Sequence, residues 1–124
     1  MMKKILVVDD EPSVARVLAD ELSGRGYVVS TAANGKLGLE KAINERSDLV
    51  ILDVKMPVMD GLAMLESLRS QEFGKEMKVI ILSNLEPDDS IITKVYANLP
   101  IAYFIKSDIA LADLLEKVDE VLQV

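Results

Sequence analysis

The chain has 124 residues, half of them hydrophobic, with a net charge of -7 and a pI near 4.6, which suits one domain around one core. It contains no cysteine and no histidine, which excludes disulfides, thiolate metal sites, Ser-His-Asp and Cys-His catalysis, and any phosphohistidine relay within the chain. The acidic balance disfavours nucleic acid and anionic lipid as partners, and no apolar stretch approaches the ~20 residues of a membrane span.

In chain order, the first element is the apolar run Ile5-Leu6-Val7-Val8. The lysines before it give a faint likeness to a signal peptide, but Asp9-Asp10-Glu11 breaks the run too early for a secretory segment. A soluble, cytoplasmic protein is therefore expected. Pro12 suits the first turn of a helix, and Val14, Val17, Leu18 and Leu22 follow at helical spacing. Arg25-Gly26 reads as a turn before a second run, Tyr27 to Thr31, whose polar character places it at a sheet edge. Asn34-Gly35 reads as another turn before the second helix. Leu49 to Leu52 is the third run and ends in Asp53, and Met56-Pro57 and Asp60-Gly61 follow. Asp60 is expected to cap the third helix. Val79 to Leu82 is the fourth run and ends in Ser83, with Pro87 expected to open the fourth helix. Ala102 to Ile105 is the fifth and ends in Lys106, with Asp108 as the expected cap of a fifth helix. That helix carries the stripe Leu111, Leu114, Leu115, Val118, Val121 and Leu122.

The runs are rich in Val and Ile and do not alternate with polar residues, as strands buried on both faces do. Five strand-helix repeats predict an α/β fold, a doubly wound parallel five-stranded sheet, over one domain of residues 1–124. Right-handed crossovers leave few topologies, and the flavodoxin-like (βα)5 order 2-1-3-4-5 suits a chain this short. Its switch point lies between strands 1 and 3, where Asp9, Asp10 and Asp53 would sit.

Ligands bind at the carboxyl ends of such strands. Two unit charges about 4 Å apart repel by roughly 4 kcal/mol at an effective dielectric of 20, so three clustered carboxylates call for protons or a cation. All-oxygen ligands favour Mg²⁺, Mn²⁺ or Ca²⁺ over zinc. The alternative is that Asp9, Asp10 and Glu11 only complement a helix N-terminus. Asp53 beside a metal is a candidate nucleophile as well as a ligand, or a turn residue before Met56-Pro57. Singly, Ser83 reads as a strand-end loop residue and Lys106 as a solvated charge. Placed together on the rim, they supply a hydroxyl and a positive charge for a phosphoryl group.

With Met56-Pro57 and Asp60-Gly61 between them, Asp9-Asp10, Asp53, Ser83 and Lys106 resemble the receiver domain of two-component response regulators over essentially the whole chain. The resemblance implies that Asp53 accepts a phosphoryl group from the phosphohistidine of a sensor histidine kinase or phosphotransfer protein. It implies Mg²⁺, with Mn²⁺ as the alternative, held by Asp10, Asp53 and the Lys55 carbonyl, with Asp9 acting through water. Lys106 would pair with the phosphoryl oxygens. Ser83 would swing toward them and let Tyr103 turn inward, altering a face of the fourth helix, fifth strand and fifth helix that a downstream protein or output domain reads. The implied role is that of an acceptor promoting only its own phosphorylation and dephosphorylation, with no nucleic acid or membrane bound by this domain.

Two other classes are weighed. A Mg²⁺-dependent phosphohydrolase usually places a second Asp two residues after its first-strand nucleophile, where this chain has Glu11. An unphosphorylated interaction module would not need the acids, hydroxyl and lysine together. Three positions depart from the family pattern: Ser107 where proline is usual, Asn84 where a very small residue is common, and Asn98-Leu99-Pro100 in place of a glycine-containing turn. The fourth helix is therefore expected to end differently.

Overall fold

A computed structural model describes residues 2–84 and 89–123, the side chains of residues 89–92 excepted. The strands are β1 Lys4–Val8, β2 Val28–Ala32, β3 Leu49–Leu52, β4 Lys78–Ser83 and β5 Ala102–Ile105. The helices are α1 Pro12–Gly24, α2 Gly35–Glu45, α3 Gly61–Arg69, α4 Asp89–Ala97 and α5 Leu111–Leu122. All four pairings are parallel, in the order β2-β1-β3-β4-β5. No helix among the described residues is long and apolar enough to cross a membrane.

The unbroken apolar runs follow from burial on both faces. Successive strand side chains point to opposite sides. Leu6, Val8, Val50, Leu52, Val79 and Ile81 therefore join one cluster with Ala42, Met64, Leu65 and Leu68 of α2 and α3. Ile5, Val7, Leu49, Ile51, Ile80 and Leu82 join the other, with Leu18 and Leu22 of α1 and Leu114, Leu115, Val118 and Leu122 of α5. β2 is an edge strand, as its polar residues predict, and β5 is the other edge.

Several local expectations change. Tyr27 precedes β2, which runs one residue further, to Ala32. Asn34-Gly35 is a helix start, because the Asn34 side chain accepts the Leu37 N–H at 2.9 Å and caps α2. Asp108 does not cap α5. A tight turn comes first, with the Asp108 and Ile109 N–H groups donating to the Ile105 carbonyl, and the cap position falls to Ala110, which offers no side-chain acceptor. Val17 lies outside the apolar face of α1 and is exposed, while Ala15 is buried in its place. Pro87 lies outside the described residues.

Asp60 does cap α3, accepting the Ala63 N–H at 2.8 Å. The end of α4 departs from a glycine turn as the sequence predicts. Leu99 takes φ 54°, and the Asn98 side chain donates to the Lys94 carbonyl at 2.9 Å. Arg69 holds that turn from below, donating to the carbonyls of Asn98 (2.7 Å) and Leu99 (3.1 Å), and to those of Gly74 and Met77 (2.7 Å each). Among the described residues no peptide bond is cis, so the Lys106-Ser107 bond is trans.

Candidate functional site

The sheet aims the site. Its ladder runs on past the strand ends: the Asp9 N–H donates to Ala32 (3.0 Å), Asp53 to Val8 (2.9 Å) and Lys106 to Ser83 (2.9 Å). Asp9, Asp53 and Lys106 therefore each have a fixed backbone before the side chain leaves the sheet. Asp9, Asp53 and Ser83 are buried, and Asp10 is exposed.

One carboxylate oxygen from each of Asp9, Asp10 and Asp53 lies within 4.8 Å of the others. The Lys106 ammonium reaches the same place, 2.7 Å from Asp9, 2.9 Å from Glu11 and 3.3 Å from Asp53. Lys55, Ser83 and Asn84 line the same pocket of about 470 Å³ with Asp10, Glu11, Asp53 and Lys106. The structure thus brings together the aspartates, Ser83, Lys55 and Lys106. Asn84, at the mouth, is exposed.

Burial raises the Asp9 carboxyl above its ordinary range, and its hydrogen bonds from Lys106 and from the Glu11 N–H only partly offset this. Burial also works against the charged form of Lys106, but hydrogen bonds to Asp9 and Glu11 and the charges of Asp9 and Asp53 win, so its pKa rises. Among the described residues, the carboxylates of Asp9, Asp10, Glu11 and Asp53 gather here and outnumber the two lysines, Lys55 and Lys106, that line the pocket. The excess negative charge and the all-oxygen donor set fit a hard divalent cation.

Tyr103 lies beside this pocket. Its side chain packs against the cluster under α2 and α3, and its hydroxyl shares a hydrogen bond with the Ser83 side chain. Burial raises the Tyr103 hydroxyl pKa, and the charge of Asp53 adds to the rise.

The loop after Asp53 is under tight steric control. The Gly61 N–H donates to the Val54 carbonyl at 2.6 Å, and a Cβ at Gly61 would lie 1.9 Å from the Asp53 carbonyl oxygen. Val58 has φ 70°, and the Met59 N–H donates across it to the Pro57 carbonyl at 2.8 Å. That is a γ-turn of the rare positive-φ kind, built on a β-branched residue. The Met59 carbonyl then accepts the Gly35 N–H at 2.9 Å and ties the loop to α2. Glu11 and Gly61 are the two contributors that sequence reasoning left without a role in the site. The signal for Glu11 was its place directly after two strand-end acids.

A parallel doubly wound sheet with acids, a hydroxyl and an ammonium on its carboxyl rim defines a class of phosphate-handling signalling domains. Residues 5–119 match the response regulator receiver domain, and the chain belongs to that family, whose general function is to be phosphorylated by a sensor kinase. Among relatives, it is 47% identical over 72 residues to the alkaline phosphatase synthesis transcriptional regulatory protein PhoP of Bacillus subtilis, covering 58% of this chain and 30% of PhoP. It is 40% identical over 91 residues to the chemotaxis protein CheY of Treponema pallidum, covering 71% of this chain and 62% of CheY. The chain therefore spans about a third of the length of PhoP, and 34% of a probable transcriptional regulator, ycf27, of Cyanophora paradoxa. Among solved structures, a CheY-like receiver domain protein of Methanospirillum hungatei superposes with TM-score 0.90 at 31% identity, covering 99% of this chain and 95% of that one. The response regulator TrrA of Thermotoga maritima, in complex with Mg²⁺ and beryllofluoride, gives TM-score 0.83 at 38% identity, covering 97% and 99%.

Proposed function

We propose that Asp53 is the phosphoacceptor of this chain and that the phosphoryl group comes from a phosphohistidine on a sensor histidine kinase or phosphotransfer protein. The observation that carries this reading is the placement of Asp53: buried, grouped with Asp9 and Asp10, and 3.3 Å from the Lys106 ammonium.

An Asp53 carboxylate oxygen forms the new bond to phosphorus. The donor's P–N bond breaks, or its P–O bond for an acyl phosphate, and the electron pair leaves with the donor. Lys106 supplies positive charge to the equatorial oxygens and Ser83 a hydroxyl donor. Asp10, Asp53 and the Lys55 carbonyl would hold Mg²⁺, or Mn²⁺ in its place, with Asp9 supporting from beside them. The bound ion would neutralise charge on the phosphoryl oxygens. The chain then acts as an acceptor, promoting its own phosphorylation and dephosphorylation and turning over no separate substrate.

Phosphorylation adds about 1.5–2 negative charges at the rim. The hydrogen bond between Ser83 and Tyr103 provides the route outward: recruiting the Ser83 hydroxyl to the phosphoryl group changes what holds the Tyr103 hydroxyl. The face so altered is that of α4, β5 and α5, where Tyr96, Leu99, Ile101 and Leu111 expose apolar surface to a downstream protein or output domain.

Acetyl phosphate with Mg²⁺, followed by intact-mass measurement, tests the reading. The wild-type chain gains one phosphoryl group and Asp53→Asn gains none. An unmodified wild-type mass, or an adduct that survives Asp53→Asn, sinks it.

A further inference from the structure

Glu11 occupies the N-cap position of α1, with φ -91° and ψ 105°, yet its side chain accepts nothing from its own helix. Glutamate is not among the favoured N-cap residues, so the position calls for another explanation. The side chain instead crosses the pocket to Lys106, 95 residues away in the chain, at 2.9 Å. Its backbone is fixed for this, since the Glu11 N–H donates to Asp9 at 2.9 Å and its carbonyl accepts from Val14 and Ala15 at 3.1 Å each.

An ammonium has three N–H donors. Those of Lys106 face three carboxylates, of Asp9, Glu11 and Asp53. A phosphoryl oxygen arriving on Asp53 must therefore displace one of them. The Asp9 side chain is 3% exposed and makes the shortest of the three contacts, so releasing it would strand a buried charge. Asp53 is the acceptor itself. The Glu11 side chain is 48% exposed, and water re-solvates it at little cost when it lets go.

We propose that Glu11 is a positioning residue for Lys106, a place-holder carboxylate that occupies one donor of the ammonium until a phosphoryl oxygen replaces it. This rests on the phosphoacceptor reading above. Glu11 competes with the phosphoryl group for one donor and so sets how readily the site loads.

Two variants separate this competition from a plain charge effect. Glu11→Gln removes the charge. Glu11→Asp keeps the charge but is one methylene shorter, so at the same backbone position it falls short of Lys106. If Glu11 is the place-holder, both variants take up phosphoryl from acetyl phosphate about threefold to tenfold faster than wild type. Both also bind beryllofluoride tighter by a similar factor at saturating Mg²⁺, read by calorimetry. In metal-free protein, without any donor, the Lys106 ε-methylene NMR signals shift in both. Wild-type rates and signals in both variants overturn the proposal, as does a gain confined to Glu11→Gln, which would make the effect one of field. Melting temperatures within a few degrees of wild type show that the variants are folded. A wild-type chain that accepts no phosphoryl group defeats the phosphoacceptor reading instead, so the two failures are distinct.

Discussion

Gly61 shows how one missing atom shapes the site. Any side chain there would drive a carbon to 1.9 Å from the Asp53 carbonyl oxygen, so the loop must move or the end of β3 must. Gly61→Ala is expected to destabilise the fold by about 1–3 kcal/mol. It should also slow phosphorylation by at least about tenfold, because small misplacements of a reacting group are costly. Urea denaturation and the acetyl phosphate rate read the two effects. Gly24→Ala is the control. Nothing lies within 4 Å of its would-be Cβ, and it should be neutral or slightly stabilising. Sequence spacing alone brought Asp9, Asp10, Asp53, Ser83 and Lys106 to one rim, because each lies at the end of an apolar run. It could not bring Glu11 to Lys106, since that contact depends on side-chain reach across the rim rather than on any period along the chain.

At the scale of elements, the strands were legible because burial on both faces leaves unbroken apolar runs. Helix starts were less so, because a polar residue before an apolar stripe is equally a cap or a turn. Asn34 proved a cap where a turn was read. Asp108 proved a turn residue where a cap was read, because the chain first folds back onto the Ile105 carbonyl. α5 therefore starts at Ala110 without a side-chain acceptor. Ala110→Ser is expected to stabilise the fold by about 1 kcal/mol by supplying one. Asp108→Ala should cost far less than a lost cap. Denaturation midpoints of the two variants test the assignment, and a large loss in Asp108→Ala would contradict it. The α4–β5 turn also carries its own support. Arg69 makes four bonds to backbone carbonyls, and two of them grip the turn where Leu99 sits at positive φ. Burial depresses the Arg69 pKa. Nothing in the sequence around an arginine at the end of a helix announces such a role.

For the whole molecule, α5 is fastened to the turn between α1 and β2 by Asp119, which accepts from the Tyr27 hydroxyl at 2.5 Å and pairs with Arg25. Burial first, then the hydrogen bond and charge of Asp119, push the Tyr27 pKa up to about 12 from 10.0. A raised folded-state value means that folding favours the protonated phenol. Its contribution is complete below pH ~10 and is lost as pH climbs toward ~12. Taken in full, a rise from 10.0 to about 12 would be worth roughly 3 kcal/mol. Asp119 is partly exposed, so about 1–2 kcal/mol is the expected loss. Urea midpoints from pH 9 to 11.5 should fall more steeply for wild type than for Tyr27→Phe, and parallel slopes would contradict the assignment.

Sheet order and chain order also disagree in a way that bears on synthesis. Leu18 and Leu22 share one apolar cluster with Leu115 and Val118, yet about three quarters of the sequence is translated between them. At about 5–20 residues per second a ribosome takes roughly 5–20 s to cover that interval. Until then Leu18 and Leu22 have only the earlier members of that cluster, such as Ile5, Val7, Leu49 and Ile51, for cover, so the growing polypeptide keeps part of its apolar surface open to wrong partners until the fifth helix emerges.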